Sequence, residues 1–295
     1  LSLHDALPIC RVPCFLSNFL WFCGLLAIDH AGPGSLDVAA AIQSESDPQP
    51  LDGFVKSEIH MGVRFQISLY TTDETAAERA FNAGFAEIAR LEQVFSDYNT
   101  TSETRRMDAA PCDSPLDISP DMLDLLQKSF ELNRGTSGYF DVTLGRLTKL
   151  WRTSRREQKS PDPEAIQAAA LGVGSHLLEL TEHRLIKRPP SVELDFGGIA
   201  KGYAADQVLR KLAHEFGITR VLIDDSGDLV AGDPPPNQKG WVVELSQPAD
   251  DPGPRLHVYL ANRALASSGD STQFLQTDQI RWSHLLNPHT KTPII

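Results

Sequence analysis

Between Val192 and Phe216 the hydrophobic pattern of the chain switches period, and this switch constrains the fold more than any other feature. In "VELDFGGIAKGYAADQVLRKLAHEF" the apolar residues Val192, Leu194 and Phe196 alternate as on a half-buried strand, while from Ala200 onward the spacing is helical. Gly197 and Gly198 sit at the change, and residues without a Cβ permit a tight turn and close approach of another group to the backbone. A strand end is therefore expected to feed directly into a helix start at Ala200. The N–H groups of such a terminus point outward and the helix dipole adds positive potential, which suits an anion; Lys201 brings a mobile point charge. The segment is neither a GxxxxGK[ST] loop nor a GxGxxG turn. Taken alone, a glycine turn with one lysine is a packing device more often than a phosphate site.

The other patterns come in blocks. "GVRFQISLY" (62–70) alternates Val63, Phe65, Ile67 and Leu69 on one face and predicts a strand. Phe81, Phe85, Ile88, Leu91 and Phe95 then recur at helical spacing in a long amphipathic segment. A second helix is bounded by Ser119 as N-cap, Pro120 in the first helical position and Gly135 as stop. A third carries Leu144, Leu147, Leu150 and Trp151, and "SPDPEAIQAAALGVGS" predicts a short helix. Segments 177–180 and 184–187 read as a hairpin, with Val192 to Phe196 as a third strand. Further strands are expected in "TRVLID", "GWVVELSQP" and "LHVYLAN". Grouped helices and strands, not strict alternation, predict an α+β fold with mixed and antiparallel sheets and packed helices.

A chain of 295 residues can bury a sizeable core as one large domain or two small ones. Its net charge of -12 argues against a nucleic-acid-coating surface, which needs clustered Lys and Arg. Residues 1–30 read as a leader: Val12 to Ile28 is nearly all apolar behind Arg11, the layout of an export signal or a single anchor. That layout predicts an exported protein on the periplasmic side or one held at the membrane through this segment. Residues 31–53 are small, polar and proline-bearing, as in a linker, and 54–295 form the expected catalytic domain. Cys10, Cys14 and Cys23 fall in the leader and Cys112 stands far from them, which is poor material for a disulfide framework.

Three more segments carry candidate chemistry. "VLIDDSGDLVAGD" gathers Asp224, Asp225 and Asp228 around Gly227 at a strand end, where carboxylates serve a hard cation, ribose hydroxyls or a plain surface turn. His284 lies between Ser283 and the Leu285–Leu286 pair; it reads as a structural histidine or as a general base. "GYFDVT" sets Tyr139 and Phe140 beside Asp141, either as core aromatics or as flanks for a planar ring.

Taken in order, the segments "HMGVRF", "FSDYNTTSETRRM", "GYFDVTLGRLTKLW", "LDFGGIAKGYAADQV", "LIDDSGDL", "SSGD" and "HLLNPHTKTP" resemble the ApbE-type flavin transferases, the FAD:protein FMN transferases. The resemblance runs from Met61 onward. It implies an ApbE-like, T-fold-like domain in which FAD is the substrate and Mg²⁺ sits on its pyrophosphate. FMN is moved to a Thr or Ser hydroxyl of an acceptor flavoprotein, with release of AMP. Carried over by motif, FAD contacts fall on Met61, Tyr98, Tyr139, Phe140, Asp141, Asp195, Lys201 and the backbone near Leu286. Gly198 offers its carbonyl to the metal, and His284 matches the histidine that deprotonates the acceptor. Two departures stand out: the family's DPxTG reads Asn287-Pro288-His289-Thr290-Lys291, and its Gly-Gly-Asp reads Ser226-Gly227-Asp228. The family's later Asp and Thr metal ligands are expected beyond Ile295. An FAD pyrophosphatase, with water as nucleophile, and a non-catalytic flavin-binding protein are the alternative readings.

Overall fold

A computed structural model describes residues 50–189, 192–245, 256–268, 273–277 and 280–295. Strands β1 (Asp52–His60) and β2 (Val63–Thr71) form an antiparallel hairpin whose two-residue turn is Met61–Gly62. Both turn residues have positive φ, 50° and 76°, which is the geometry that suits the right-handed twist of the flanking strands. Next come helix α1 (Glu74–Phe95), capped by Asp73, whose side chain accepts from the Ala76 N–H, and helix α2 (Glu103–Ala109), capped in the same way by Ser102. Strand β3 (Leu116–Asp117) leads to α3 (Pro120–Gly135), where Ser119 accepts from Met122 as its place before Pro120 predicts.

Helices α4 (Gly145–Glu157) and α5 (Pro163–Ala170) precede β4 (Leu178–Leu180) and β5 (Arg184–Lys187), which pair antiparallel, with β3 on the far side of β5. Helix α6 (Ala200–Phe216) starts where the glycine turn ends. Then follow β6 (Val221–Asp225), β7 (Leu229–Ala231), β8 (Trp241–Glu244), β9 (His257–Leu260) and β10 (Arg263–Leu265). Three short pieces close the described chain: the β11 (Phe274–Thr277) and β12 (Ile280–Ser283) hairpin, and strands β13 (Leu286–Asn287) and β14 (Thr292–Pro293).

The main sheet has the order β1-β2-β6-β7-β10, antiparallel throughout, and α1 and α6 lie against one face of it. Two apolar interiors result. The first joins Phe65, Ile67, Leu69, Ile223 and Val230 of the sheet to Phe81, Phe85 and Ile88 of α1 and to Ala205, Val208 and Leu212 of α6. The second joins Leu91 and Phe95 of α1 to Met122, Leu125 and Leu126 of α3, and to Leu194, Phe196 and Tyr203. Each large side chain taken from water contributes about 1.5–3 kcal/mol. The helical stripes thus set where α1, α3 and α6 must lie. The β8–β9 hairpin contributes Trp241 and Leu260 to a smaller cluster with Leu229, Ala231 and Leu222.

Three expectations need correction. Val192 to Phe196 is not a ladder strand: its alternating burial is real, but its one regular pairing among the described residues is a parallel bridge, Leu144 to Glu193. Strand β1 occupies 52–60, where the sequence pattern predicts no strand. The third concerns the expected export or membrane anchorage: among the described residues no helix is long and apolar enough to cross a membrane. The longest, α1, is studded with Glu78, Arg79, Glu87, Arg90 and Glu92. The Val12 to Ile28 segment, with Cys10, Cys14 and Cys23, lies outside the described residues.

Candidate functional site

The glycine turn is held from behind. The Asp195 N–H donates to the Val142 carbonyl (2.8 Å) and the Gly145 N–H to the Glu193 carbonyl (3.1 Å), so segment 142–145 runs beside segment 193–195. The Asp195 carboxylate accepts from the Gly197 N–H at 2.8 Å and thereby bends the chain into the turn. Ile199, at the cap position of α6, provides no side-chain cap; the Ile199 and Ala200 N–H groups donate to the Phe196 carbonyl at 2.9 and 2.8 Å, and beside them Gly197 and Gly198 are exposed, so the turn itself is open to solvent. A Cβ on Gly198 would stand 3.4 Å from the Phe140 ring, which places that ring along the turn.

Lys201, on the first turn of α6, does not point free into solvent. Its Nζ donates to Asp225 Oδ1 at 3.1 Å and lies 3.6 Å from Asp228 Oδ2. Two segments read separately in the sequence, the lysine turn and the aspartate cluster, therefore form one unit. The geometry of the β6–β7 turn makes this possible: Ser226 and Gly227 have φ of 70° and 112°, and Asp224 accepts from the Gly227 N–H at 2.8 Å. Asp228 also accepts from the Ser267 N–H at 3.2 Å. Gly269 and Asp270 of the "SSGD" segment lie outside the described residues.

Burial pushes the Asp225 carboxyl up to about 6; Lys201 opposes this and Asp228 and Asp224 add to it. The side chain is 2% exposed. Because an aspartate titrates near 3.8 in the unfolded chain, the folded protein holds the extra proton between 3.8 and about 6. The stability linked to that proton is therefore full below the unfolded value and is lost as pH rises through the folded one. Asp225→Asn removes this dependence. In urea unfolding at pH 4 and pH 7, the parent is expected to lose about 2–3 kcal/mol relative to the variant across that interval. A difference that stays constant with pH would refute the assignment.

On the opposite side of the turn, Arg152 of α4 gathers three residues. It donates to the Asp97 carboxylate, lies 3.7 Å from Asp195 Oδ2, and its guanidinium sits 5.0 Å from the centre of the Tyr98 ring. Burial works against this charge, but Asp195 and Asp97 outweigh it and hold the guanidinium above its ordinary value. Tyr98 and Asp195 are among the residues expected from the sequence, whereas Arg152 is not. Only its one-turn spacing from Lys149 and Arg155 on a helix rich in cations signals it.

Asp141 is engaged with its own chain. Its Oδ1 accepts from the Thr143 N–H (2.9 Å) and hydroxyl (2.6 Å), and its Oδ2 from the Ser175 N–H (3.0 Å) and the Asn133 amide (3.3 Å). It thereby fixes the loop that presents Tyr139, 63% exposed. The turn between β13 and β14 lies against that loop: the His289 and Tyr139 rings meet edge to face at 4.6 Å, and the Ser137 carbonyl is 3.2 Å from His289 Nε2. Burial lowers the Lys291 ammonium, with Asp141 acting in the opposite sense. The altered "NPHTK" segment thus brings an aromatic contact of its own. Leu286 opens β13, and His284 lies half-buried between β12 and β13. Met61, at the hairpin tip, packs against both interiors.

The resemblance implies Mg²⁺ near the Gly198 carbonyl. Among the described residues no group of three or more His, Cys, Asp or Glu side chains is placed to hold a metal ion. Asp225 and Asp228 face the Lys201 ammonium instead. The described donors do not fit that ion.

The arrangement defines a class: an α+β protein whose helices and antiparallel sheet converge on an open glycine turn, a lysine and exposed aromatic rings. The chain belongs to the ApbE family, whose model matches residues 61–295. It is 28% identical over 241 residues to the FAD:protein FMN transferase of Klebsiella pneumoniae (strain 342), a match covering 79% of this chain and 69% of the relative. It is 29% identical over 206 residues to the FAD:protein FMN transferase of Chlamydia muridarum (strain MoPn / Nigg), covering 69% of this chain and 63% of the relative. The fold is similar to that of Pseudomonas stutzeri flavinyl transferase ApbE in its apo form. There the TM-score is 0.72 at 27% identity, over 83% of this chain and 76% of that one.

Proposed function

We propose that this chain transfers the FMN half of FAD to a Thr or Ser hydroxyl of an acceptor flavoprotein and releases AMP. The observation that carries the proposal is the uncapped start of α6 behind the Gly197–Gly198 turn, with Lys201 on its first turn. Outward N–H groups and a cation at one bend suit a diphosphate. Phosphoryl transfer asks an enzyme for positioning and charge neutralisation more than for covalent chemistry.

In this reading the helix terminus and Lys201 hold the pyrophosphate. The exposed Tyr98 and Tyr139 rings flank the planar parts of FAD, and Phe140 lines the turn. Met61 and the backbone near Leu286 complete the binding surface, and Asp195 and Asp141 keep the two loops in place. The acceptor oxygen forms a bond to the FMN phosphorus as the bridging P–O bond breaks. The hydroxyl proton passes to His284, and AMP leaves with the bridging oxygen. Support comes from the family membership and from the names of the relatives that the chain matches.

The test uses the full-length protein with FAD, Mg²⁺ and an acceptor domain bearing the target Thr. Flavin fluorescence that survives denaturing electrophoresis on the acceptor, with one AMP per flavin, is the expected result. AMP formed without acceptor would instead favour hydrolysis, and bound FAD without AMP would favour a binding protein.

A further inference from the structure

Helix α4 concentrates positive charge in an otherwise acidic chain. Its sequence, GRLTKLWRTSRRE, holds Arg146, Lys149, Arg152, Arg155 and Arg156 against Glu157 alone, while the whole protein carries a net charge of -12. The helix turns Leu147, Trp151 and Ser154 inward. At 100° per residue, Lys149, Arg152, Arg155 and Arg156 share one adjoining face. The members at the two ends of this stripe differ in their partners. Lys149 is paired with Glu193 at 2.6 Å, and Arg152 with Asp97 and Asp195. Among the described residues no carboxylate lies within ion-pair range of Arg155 or Arg156.

Arg155 is the more telling of the two. It is half-buried, and burial together with the neighbouring Arg152 lowers its guanidinium below the ordinary value. A cation crowded by another cation and partly withdrawn from water leaves a positive potential that an incoming anion relieves. Within the stripe Arg152 lies beside both Asp195 and the Tyr98 ring, so the Arg155–Arg156 end runs outward from the edge of the proposed FMN-transfer site.

We propose that the Arg155–Arg156 face of α4 docks an acidic segment of the acceptor protein, next to the hydroxyl that receives FMN. The inference rests on the transferase reading and adds the chemistry of the partner. Charge complementarity across such a contact raises the encounter rate and selects the partner, and it weakens with salt.

The experiment uses the full-length protein and two fluorescein-labelled synthetic peptides with a central Thr. One has Asp and Glu on both flanks, the other Asn and Gln at the same places. Fluorescence anisotropy is expected to show the acidic peptide binding at least about 10-fold more tightly, an advantage that falls as salt rises. Arg155→Gln/Arg156→Gln should remove most of that advantage and leave FAD affinity unchanged. A charge-reversed Arg155→Glu/Arg156→Glu protein should prefer a Lys-flanked peptide. Equal binding of the two peptides by the parent would overturn the proposal. So would equal loss of FAD and peptide binding in the Gln variant, or competition by heparin as effective as that by the acidic peptide. Failure of the transferase reading shows separately, as a parent that does not bind FAD.

Discussion

Lys201→Met is expected to weaken FAD binding by at least about 30-fold, the loss that follows from removing a charged hydrogen-bond donor worth about 2 kcal/mol. The ammonium is the one cation on the first turn of α6, and it is oriented by Asp225 at 3.1 Å and Asp228 at 3.6 Å. The substitution also strands a buried carboxylate. Asp225 then takes up a proton more readily still, and the protein is expected to lose about 1–3 kcal/mol of stability at neutral pH. The double variant Lys201→Met/Asp225→Asn separates the two effects: it should regain most of the stability but none of the affinity. Fluorescence titration with FAD and urea unfolding of the three proteins give the measurement. An FAD affinity in Lys201→Met equal to that of the parent would rule the lysine out as a phosphate contact.

Gly145→Ala is expected to damage the site from a distance. Gly145 is buried at the first residue of α4, and an added Cβ would stand 2.7 Å from the carbonyl carbon and oxygen of Glu193. Those are backbone atoms of the segment that carries Asp195, so relief requires segments 142–145 and 193–195 to part. Overpacking of this kind costs about 1–3 kcal/mol. The parting lengthens the bond from the Asp195 N–H to Val142 that fixes the turn. Gly202→Ala supplies the contrast. It sits in α6 with nothing within 4 Å of the place an added methyl would occupy, and alanine there should stabilise the chain by about 0.5–1 kcal/mol. Thermal unfolding that moves both variants in the same direction would contradict this account.

Much of the fold can be read from the order of residues because helix burial leaves a period. Phe81, Phe85, Ile88, Leu91 and Phe95 mark α1, the Ser119–Pro120 pair marks the start of α3, and the glycine turn marks the start of α6. Strand β1 leaves no such mark because it lies at the edge of the sheet: Val55 and Ile59 are exposed, and Lys56, Glu58 and His60 occupy the half-buried face. No apolar alternation results. The opposite error at Val192 to Phe196 has the opposite cause. Alternation there records burial faithfully, but the backbone bonds go to Val142 and from Gly145 across an irregular contact that no local pattern announces.

The family resemblance is legible because several short segments recur in order, and the family model matches the same stretch. The electrostatics of the site are not legible. Lys201 and Asp225 are separated by a whole helix, and only the packing of α6 on β6 brings them together. Arg152 reaches Asp97 and Asp195 from a third part of the chain. Pairings of this kind depend on tertiary distance, which a single sequence does not encode at short range.

Helices α1 and α6 each send residues into both apolar interiors, Phe85 with Phe95 from one and Val208 with Tyr203 from the other. Neither interior can therefore come apart while its neighbour stays intact, because both are built on the same two rods. Melting followed by a probe in the sheet and melting followed by a probe beside the glycine turn should trace a single transition. For the end of the molecule that carries the glycine turn, rigidity is a property lent by the two shared helices.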